Sequence, residues 1–391
     1  MYKDDALKLM LDKKSIFNNR YYKPFGQMMI RLNDDSYLMS DENLMLSSIR
    51  EENIKQYELD SDIISNIFKK RKDVNAIVFI CSEMSVSFSN KNKALLPSLM
   101  DLAELAGQSV KVIGSAKASQ ISKALKKVDV CLIKNMGTFA VGKDLDSAIS
   151  AALIVEKSIQ VEVHGKKLGG VKHLNKGTSG NLHEYYHYSY KAKNKGSAVS
   201  FVQADQRESN LRYELIDTAL EMCNKSLIQG TWGNLSVRLN DKEMLITPSS
   251  MNYSEMKVED IVKVNLETLD YSDNDRLPSS ETALHASIYL RKPECSAIIH
   301  THSVALSVFA ASKAGFKLTN PVLNELIGDV KVCNFALPGT DDQINTVNEC
   351  LRNSNACIMA NHGAIFTAKD LRTSFKIADA VETKASVLLE I

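Results

Sequence analysis

His300-Thr301-His302 closes the apolar run Ala297-Ile298-Ile299, and a third histidine follows in Met359-Ala360-Asn361-His362-Gly363. Residues i and i+2 of a strand point to the same face, about 6–7 Å apart at the backbone. Two imidazoles so placed can close on one ion. A third from a loop leaves the fourth corner of a tetrahedron open, as a catalytic rather than a structural zinc requires. Alternating histidines also occur simply as the polar face of a strand, so the pair alone does not decide for metal.

The elements that must position these residues follow from the pattern around them. A helix is expected over Arg207–Lys225, short strands around Leu235–Leu239 and Met244–Thr247, and a helix over Thr282–Leu290, where apolar residues recur at helical spacing. The strand Ala297–His302, a helix Ser303–Ala311, strands near Val330–Asn334 and Cys357–Ala360 and a long helix Leu371–Leu389 complete the set. Strands mixed with helices and joined by short loops indicate a layered α/β domain.

With 391 residues the chain is too long for one typical core and suggests two domains. It is 44% hydrophobic and 24% charged, with a formal net charge of +1, so no strong field steers it toward nucleic acid or an anionic membrane. Met1-Tyr2-Lys3-Asp4-Asp5 carries charges where a signal peptide needs an apolar core, and no run approaches a membrane span. Seven scattered cysteines without a C-x-x-C argue against a disulfide framework or a cysteine zinc knot. The expected location is cytoplasmic.

The sequence repeats itself. Gly26–Asp34 lines up with Gly233–Asp241, Asp73–Val78 with Glu294–Ile299, and Asn135-Met136-Gly137 with Asn361-His362-Gly363. The expected division is a first copy over 1–158, a linker or tail over 159–206 and a second copy over 207–391. A Tyr/His cluster, Leu182–Tyr188, reads as a short aromatic helix packing the end of the first copy rather than as a metal site. At the positions of His300, His302 and His362 the first copy has Phe79, Cys81 and Met136. Asp60 stands opposite Glu281, Gln27 opposite Asn234, and Glu42 and Asn43 opposite Ser249 and Ser250. Three imidazoles lost together while the surrounding pattern persists fits three ligands of one ion. Cys81 reads as a buried, inert thiol.

The second copy resembles the class II aldolase/adducin family, most closely its L-fuculose-1-phosphate aldolase branch. The resemblance rests on Gly230–Ser236, Ile246–Ser250, Leu277–Thr282, Ile299–Ser303, Pro338-Gly339-Thr340 and Asn361–Ala364. The first copy looks like a degenerate member. The resemblance implies two three-layer α/β/α domains, each with a mostly antiparallel mixed central sheet, and a homo-oligomer, commonly a cyclic tetramer. It assigns His300, His302 and His362 as Zn²⁺ ligands and Glu281 as the acid/base. It places a substrate phosphate among Gly233, Asn234, Ser249, Ser250, Ser279 and Ser280, where hydroxyls and main-chain donors suit a dianion. Taken singly, each of these reads as turn chemistry, and only the set points to a phosphate pocket. Ser250 stands where the family commonly has glycine.

The expected activity is zinc-dependent cleavage of a short ketose 1-phosphate, a small-molecule sugar phosphate, to dihydroxyacetone phosphate and an aldehyde. A methylthioribulose-1-phosphate-type dehydratase uses the same triad and remains an alternative, as does an adducin-like non-catalytic scaffold. A pentulose-phosphate 4-epimerase is disfavoured, because such enzymes have Asp in place of Glu281. Two departures stand out. Asn320–Asn324 lacks the tyrosine that the fuculose type carries after its His pair, and the second copy ends directly after its last helix. The tail of the first copy, Gly177–Lys191 with Tyr185, Tyr186 and Tyr188, is a candidate replacement; the alternative is that the first copy only buries an apolar face and supports oligomerisation.

Overall fold

Runs of β-branched and aliphatic residues build two separate sheets with the same strand order. The computed structural model describes residues 1–21, 23–60, 62–186, 204–228, 230–272 and 276–391. It divides into two compact units, the first holding Met1–Val163 and Leu174–Tyr186, the second holding His164–His173 and the described residues from 204 onward.

In the first unit the strands are β1 (Phe25–Arg31), β2 (Ser36–Ser40), β3 (Leu44–Met45), β4 (Ile54–Glu58), β5 (Ala76–Cys81), β6 (Val112–Ile113), β7 (Val130–Ile133) and β8 (Gly137–Gly142). Their order is β4-β2-β1-β5-β8-β7-β6, with β3 paired to β1. In the second they are β9 (Asn234–Arg238), β10 (Glu243–Ile246), β11 (Val262–Asn265), β12 (Ala297–Thr301), β13 (Lys331–Cys333), β14 (Ala356–Met359) and β15 (Ala364–Ala368). Their order is β11-β10-β9-β12-β15-β14-β13. Every pair is antiparallel except β6 with β7 and β13 with β14.

The central strands are buried on both faces, which is why β12 reads as an unbroken apolar run up to His300. On one face of the second sheet, Ile246, Val264, Ile298 and Ile365 pack with Leu284 and Ile288 of the helix Thr282–Arg291 and with Val347 and Leu351 of the helix Asp341–Leu351. The helices Leu371–Leu389 and Gln206–Asn224 cover the strands β9, β12 and β15 from the other side. This is the three-layer arrangement expected. The strands β11 and β15 and the helices Pro321–Ile327 and Asp341–Leu351 are additional to the elements expected from the sequence.

Backbone detail repeats with the topology. Gln27 pairs with Phe79 in the first unit as Asn234 pairs with His300 in the second. A Cβ on Gly26 would meet the Phe79 carbonyl oxygen at 1.9 Å, and one on Gly233 would meet that of His300 at 2.9 Å. Asn43 and Ser250 both take left-handed φ, 63° and 55°, and so do Asn135 and Asn361, at 62° and 58°.

A buried glutamate recurs as well. Glu382 accepts from Ser303 Oγ at 2.7 Å and from the backbone N–H groups of Ala305 and Leu306, so it caps the helix Val304–Ser312. Its counterpart Glu156 accepts from Ser82 Oγ and Thr138 Oγ1, both at 2.5 Å. Burial pushes the Glu156 carboxyl from 4.5 up to about 7, against the pull of the Ser82, Thr138 and Ser85 hydroxyls. The folded protein therefore holds a proton between those values that the unfolded chain has released. Stability falls as pH rises through that window, by about 3 kcal/mol at roughly 1.4 kcal/mol per unit. Glu156→Gln is expected to remove this contribution. Denaturant titrations of both proteins from pH 4 to pH 8 check it; a stability difference that stays constant with pH refutes it.

Candidate metal centre

The second unit brings His300, His302 and His362 together, with their ligating atoms all within 4.8 Å of one another. His300 sits on β12 and His302 directly beyond its last residue. His362 lies in the turn joining β14 to β15, which is closed by the Met359 N–H to Gly363 carbonyl bond at 2.8 Å. Ring centroids are 4.6, 4.9 and 5.0 Å apart with the rings steeply inclined, so the three edges converge. His300 Nδ1 lies 3.0 Å from the Ala364 carbonyl oxygen. An Nδ1–H donated there presents Nε2 to an ion, the usual way a ligating imidazole is oriented. All three histidines are buried. Three buried, converging imidazoles fit a divalent zinc-type ion and leave a fourth corner open.

Glu281 stands against this triad. Its Oε2 lies 3.1 Å from His300 Nε2, and its Oε1 3.9 Å from His362 Nε2. Each oxygen also accepts from a side-chain amide: Asn234 Nδ2 donates to Oε2 and Gln343 Nε2 to Oε1, both at 3.0 Å. Burial alone would raise this carboxyl, but His300, His362 and the Asn234 amide outweigh it and hold it at about 2. The group rests as a carboxylate, oriented from two sides and ready to accept a proton.

Gln343 is a site residue not expected from the sequence. Its Oε1 accepts from the Gly339 N–H at 2.8 Å while its amide reaches Glu281, so Pro338-Gly339-Thr340 positions Glu281 through it. The signal for it is a glutamine on the buried face of a helix beginning just after Thr340. Behind Glu281, Ser236 Oγ lies 2.7 Å from His285 Nδ1 and 2.8 Å from the Tyr289 hydroxyl. Burial drives the His285 imidazole down to about 3 although Glu281 opposes it, so His285 is neutral.

The residues read as a phosphate pocket lie on three loops. Ser249 N–H donates to the Leu277 carbonyl, Ser279 N–H to that of Thr247, and Pro248 bridges Pro278, so two of these loops run side by side. Ser249 Oγ is 3.3 Å from Ser250 Oγ, and Ser280 is exposed. Gly233 is fixed by the buried Tyr253, whose hydroxyl donates to its carbonyl at 2.6 Å. Ser279 Oγ accepts from the Glu281 N–H at 3.3 Å, and Asn234 gives its amide to Glu281. The left-handed φ at Ser250 explains why glycine is common there in the family it resembles.

At the matching points of the first unit, Phe79 occupies the place of His300 in the sheet register, and Met136 is 38% exposed in the turn before β8. Cys81 is half-buried rather than buried, its thiol pushed up by burial and by the Glu156 carboxylate. The helix Lys176–Glu184 packs on the helix Met100–Ala106, with His183 Nδ1 2.8 Å from the Glu104 carbonyl oxygen. Tyr185 is 57% exposed, and Tyr188 lies outside the described residues. No helix among the described residues is long and apolar enough to cross a membrane.

Two tandem α/β domains of one topology, with a three-histidine, one-carboxylate centre in the second, define the class of protein. The family model described as "Class II Aldolase and Adducin N-terminal domain" matches residues 21–163 and again 213–389, so the chain belongs to that family, twice over. It is 33% identical over 188 residues to an L-fuculose phosphate aldolase of Haemophilus influenzae, covering 47% of this chain and 84% of that one. It is 32% identical over 176 residues to a 5-methylthioribulose-1-phosphate/5-deoxyribulose-1-phosphate aldolase of Rhodospirillum rubrum, covering 45% and 78%. Among solved structures, an L-fuculose 1-phosphate aldolase is similar at 30% identity and a TM-score of 0.44, over 46% of this chain and 84% of that one.

Proposed function

We propose that the second copy, 207–391, is a zinc-dependent aldolase that cleaves a short ketose 1-phosphate to dihydroxyacetone phosphate and an aldehyde. The observation that carries this reading is Glu281 set against the His300–His302–His362 triad, with both its oxygens held by amides. A zinc ion held by His300, His302 and His362 would supply a Lewis acid that polarises the substrate's oxygens. Glu281 takes the proton from the hydroxyl that becomes the aldehyde oxygen and returns a proton to the carbon left behind. Gly233, Ser249, Ser250, Ser279 and Ser280 are the groups for the phosphate, with Asn234 divided between this pocket and Glu281. Relatives named as ketose-phosphate aldolases support the substrate class. We place the enzyme in the cytoplasm as a homo-oligomer acting on small molecules, with no nucleic acid or membrane partner.

Metal analysis of the purified full chain, followed by a screen of ketose 1-phosphates with dihydroxyacetone phosphate as readout, tests the reading. Release of water without a three-carbon product would replace it with the dehydratase. The expected stoichiometry is one zinc per chain, because the first copy has Phe79, Cys81 and Met136 at the ligand positions. His300→Ala with His302→Ala is expected to abolish binding. A ratio near two, or metal retained in that variant, refutes the single site.

A further inference from the structure

Asn361, the residue before His362, sits at a left-handed φ of 58° and is held from two directions. Its backbone N–H donates to the Ala310 carbonyl at 3.0 Å, on the helix Val304–Ser312. Its side-chain amide donates to the Lys172 carbonyl at 2.7 Å. Lys172 lies in neither copy as the repeat defines them. It belongs to His164–His173, which follows the first sheet's closing helix Leu145–His164 and yet is part of the second compact unit.

The segment is itself anchored along its length. Lys172 N–H donates to the Ala311 carbonyl at 2.7 Å, next to the residue that receives Asn361. Gly170 N–H closes back on the Gly165 carbonyl at 2.8 Å. Lys167 Nζ reaches the Leu389 carbonyl and Glu390 Oε2, both at 2.6 Å, at the end of the second unit's last helix. The turn that carries His362 is thus bounded by the helix Val304–Ser312 on one side and by this segment on the other. In the first unit the matching Asn135 has the same left-handed φ, but its N–H donates to the Asn90 side chain at 3.0 Å.

We infer that His164–His173 is a working part of the second copy's metal centre, with Asn361 the positioning residue through which the Lys172 carbonyl fixes His362. This rests on the metal reading above. A ligand on a tight turn is only as well placed as the turn, and losing the bonds that orient metal ligands commonly costs about 10–100-fold in affinity. The inference also gives the fusion of the two copies a function: the second copy's site borrows a backbone carbonyl from beyond its own repeat.

The test uses the full chain and measures zinc affinity by competition with a chromogenic chelator. Asn361→Gly keeps the left-handed φ at no steric cost and removes the amide. Lys172→Pro removes the N–H that ties the segment to Ala311. Lys292→Met is the control, because Lys292 Nζ donates to the Ser354 carbonyl and Asn355 Oδ1, both at 2.9 Å, in the same unit but without touching the triad or its turn. Both Asn361→Gly and Lys172→Pro are expected to weaken zinc binding at least about tenfold with native circular dichroism retained, while Lys292→Met leaves it within about twofold. Wild-type affinity in either of the first two variants overturns the inference, and so does an equal loss in Lys292→Met. A wild-type chain that binds no zinc overturns the metal reading itself, a different result from tight wild-type binding with unmoved variants.

Discussion

Glu281→Gln is expected to lower turnover by about 10²–10⁴-fold with fold and metal content unchanged, the usual scale for losing a positioned acid/base. Glutamine fills the same volume, and its carbonyl oxygen can still accept from the Asn234 or the Gln343 amide. What it cannot do is take a proton. Glu281 is buried, so bulk water is poorly placed to substitute for it. The two amide donors also favour the ionised carboxylate, which makes the resting group a base rather than an acid. KM for the ketose phosphate should change little, because no part of the phosphate pocket is removed. Steady-state kinetics on the best substrate of the screen, with zinc quantified in the same sample, decide the matter. Near-normal turnover assigns the proton transfer to another residue.

The histidines were legible because their arrangement has a local signature: two imidazoles on one strand face and a third beside a glycine. The first copy made them more legible, since its sequence keeps the surrounding pattern while Phe79, Cys81 and Met136 stand at the three positions. Glu382 and Glu156 illustrate the opposite case. Both copies retain this buried carboxylate, and both use it between a helix and the strand layer. It is a fold residue, and nothing in its local sequence marks it as buried. Gln343 and Lys172 were illegible for a further reason. Their partners, Glu281 and Asn361, lie far away in the chain, and Lys172 acts through its backbone carbonyl, which has no residue-type signature. Tertiary placement, not spacing, creates such roles. The helix Asp341–Leu351 was overlooked although Thr340 caps it through the Gln343 N–H, because its polar face interrupts the apolar run that sequence patterning follows.

The first copy lacks the three histidines, but it is not a slack remnant. Lys157, directly after Glu156 on the helix Leu145–His164, pairs with Asp101 on the helix Met100–Ala106, and both side chains are fully buried. The second copy has Thr383 after its Glu382, so this ion pair belongs to the first copy alone. Asp101 Oδ1 also accepts from the Leu102 N–H at 2.7 Å, which keeps the carboxylate in place whether or not the lysine is there. Lys157→Met should therefore take the buried ammonium away from a buried carboxylate and destabilise the first unit by about 3–5 kcal/mol, roughly 10²–10⁴-fold in its folding equilibrium. Adding Asp101→Leu should recover most of that loss, because a packed apolar pair removes the desolvation cost together with the attraction. The protein offers a direct way to see which unit responds. Trp232 is its only tryptophan and lies in the second unit, 5.8 Å from the His302 ring. Its fluorescence follows that unit, whereas far-ultraviolet circular dichroism follows both. In denaturant titrations the dichroism transition of Lys157→Met should move to lower concentration while the fluorescence transition stays. A shift of under about 1 kcal/mol, or a double variant no more stable than the single one, would show that the pair does not hold the first copy together. Movement of both transitions in step would show that the two units unfold as one.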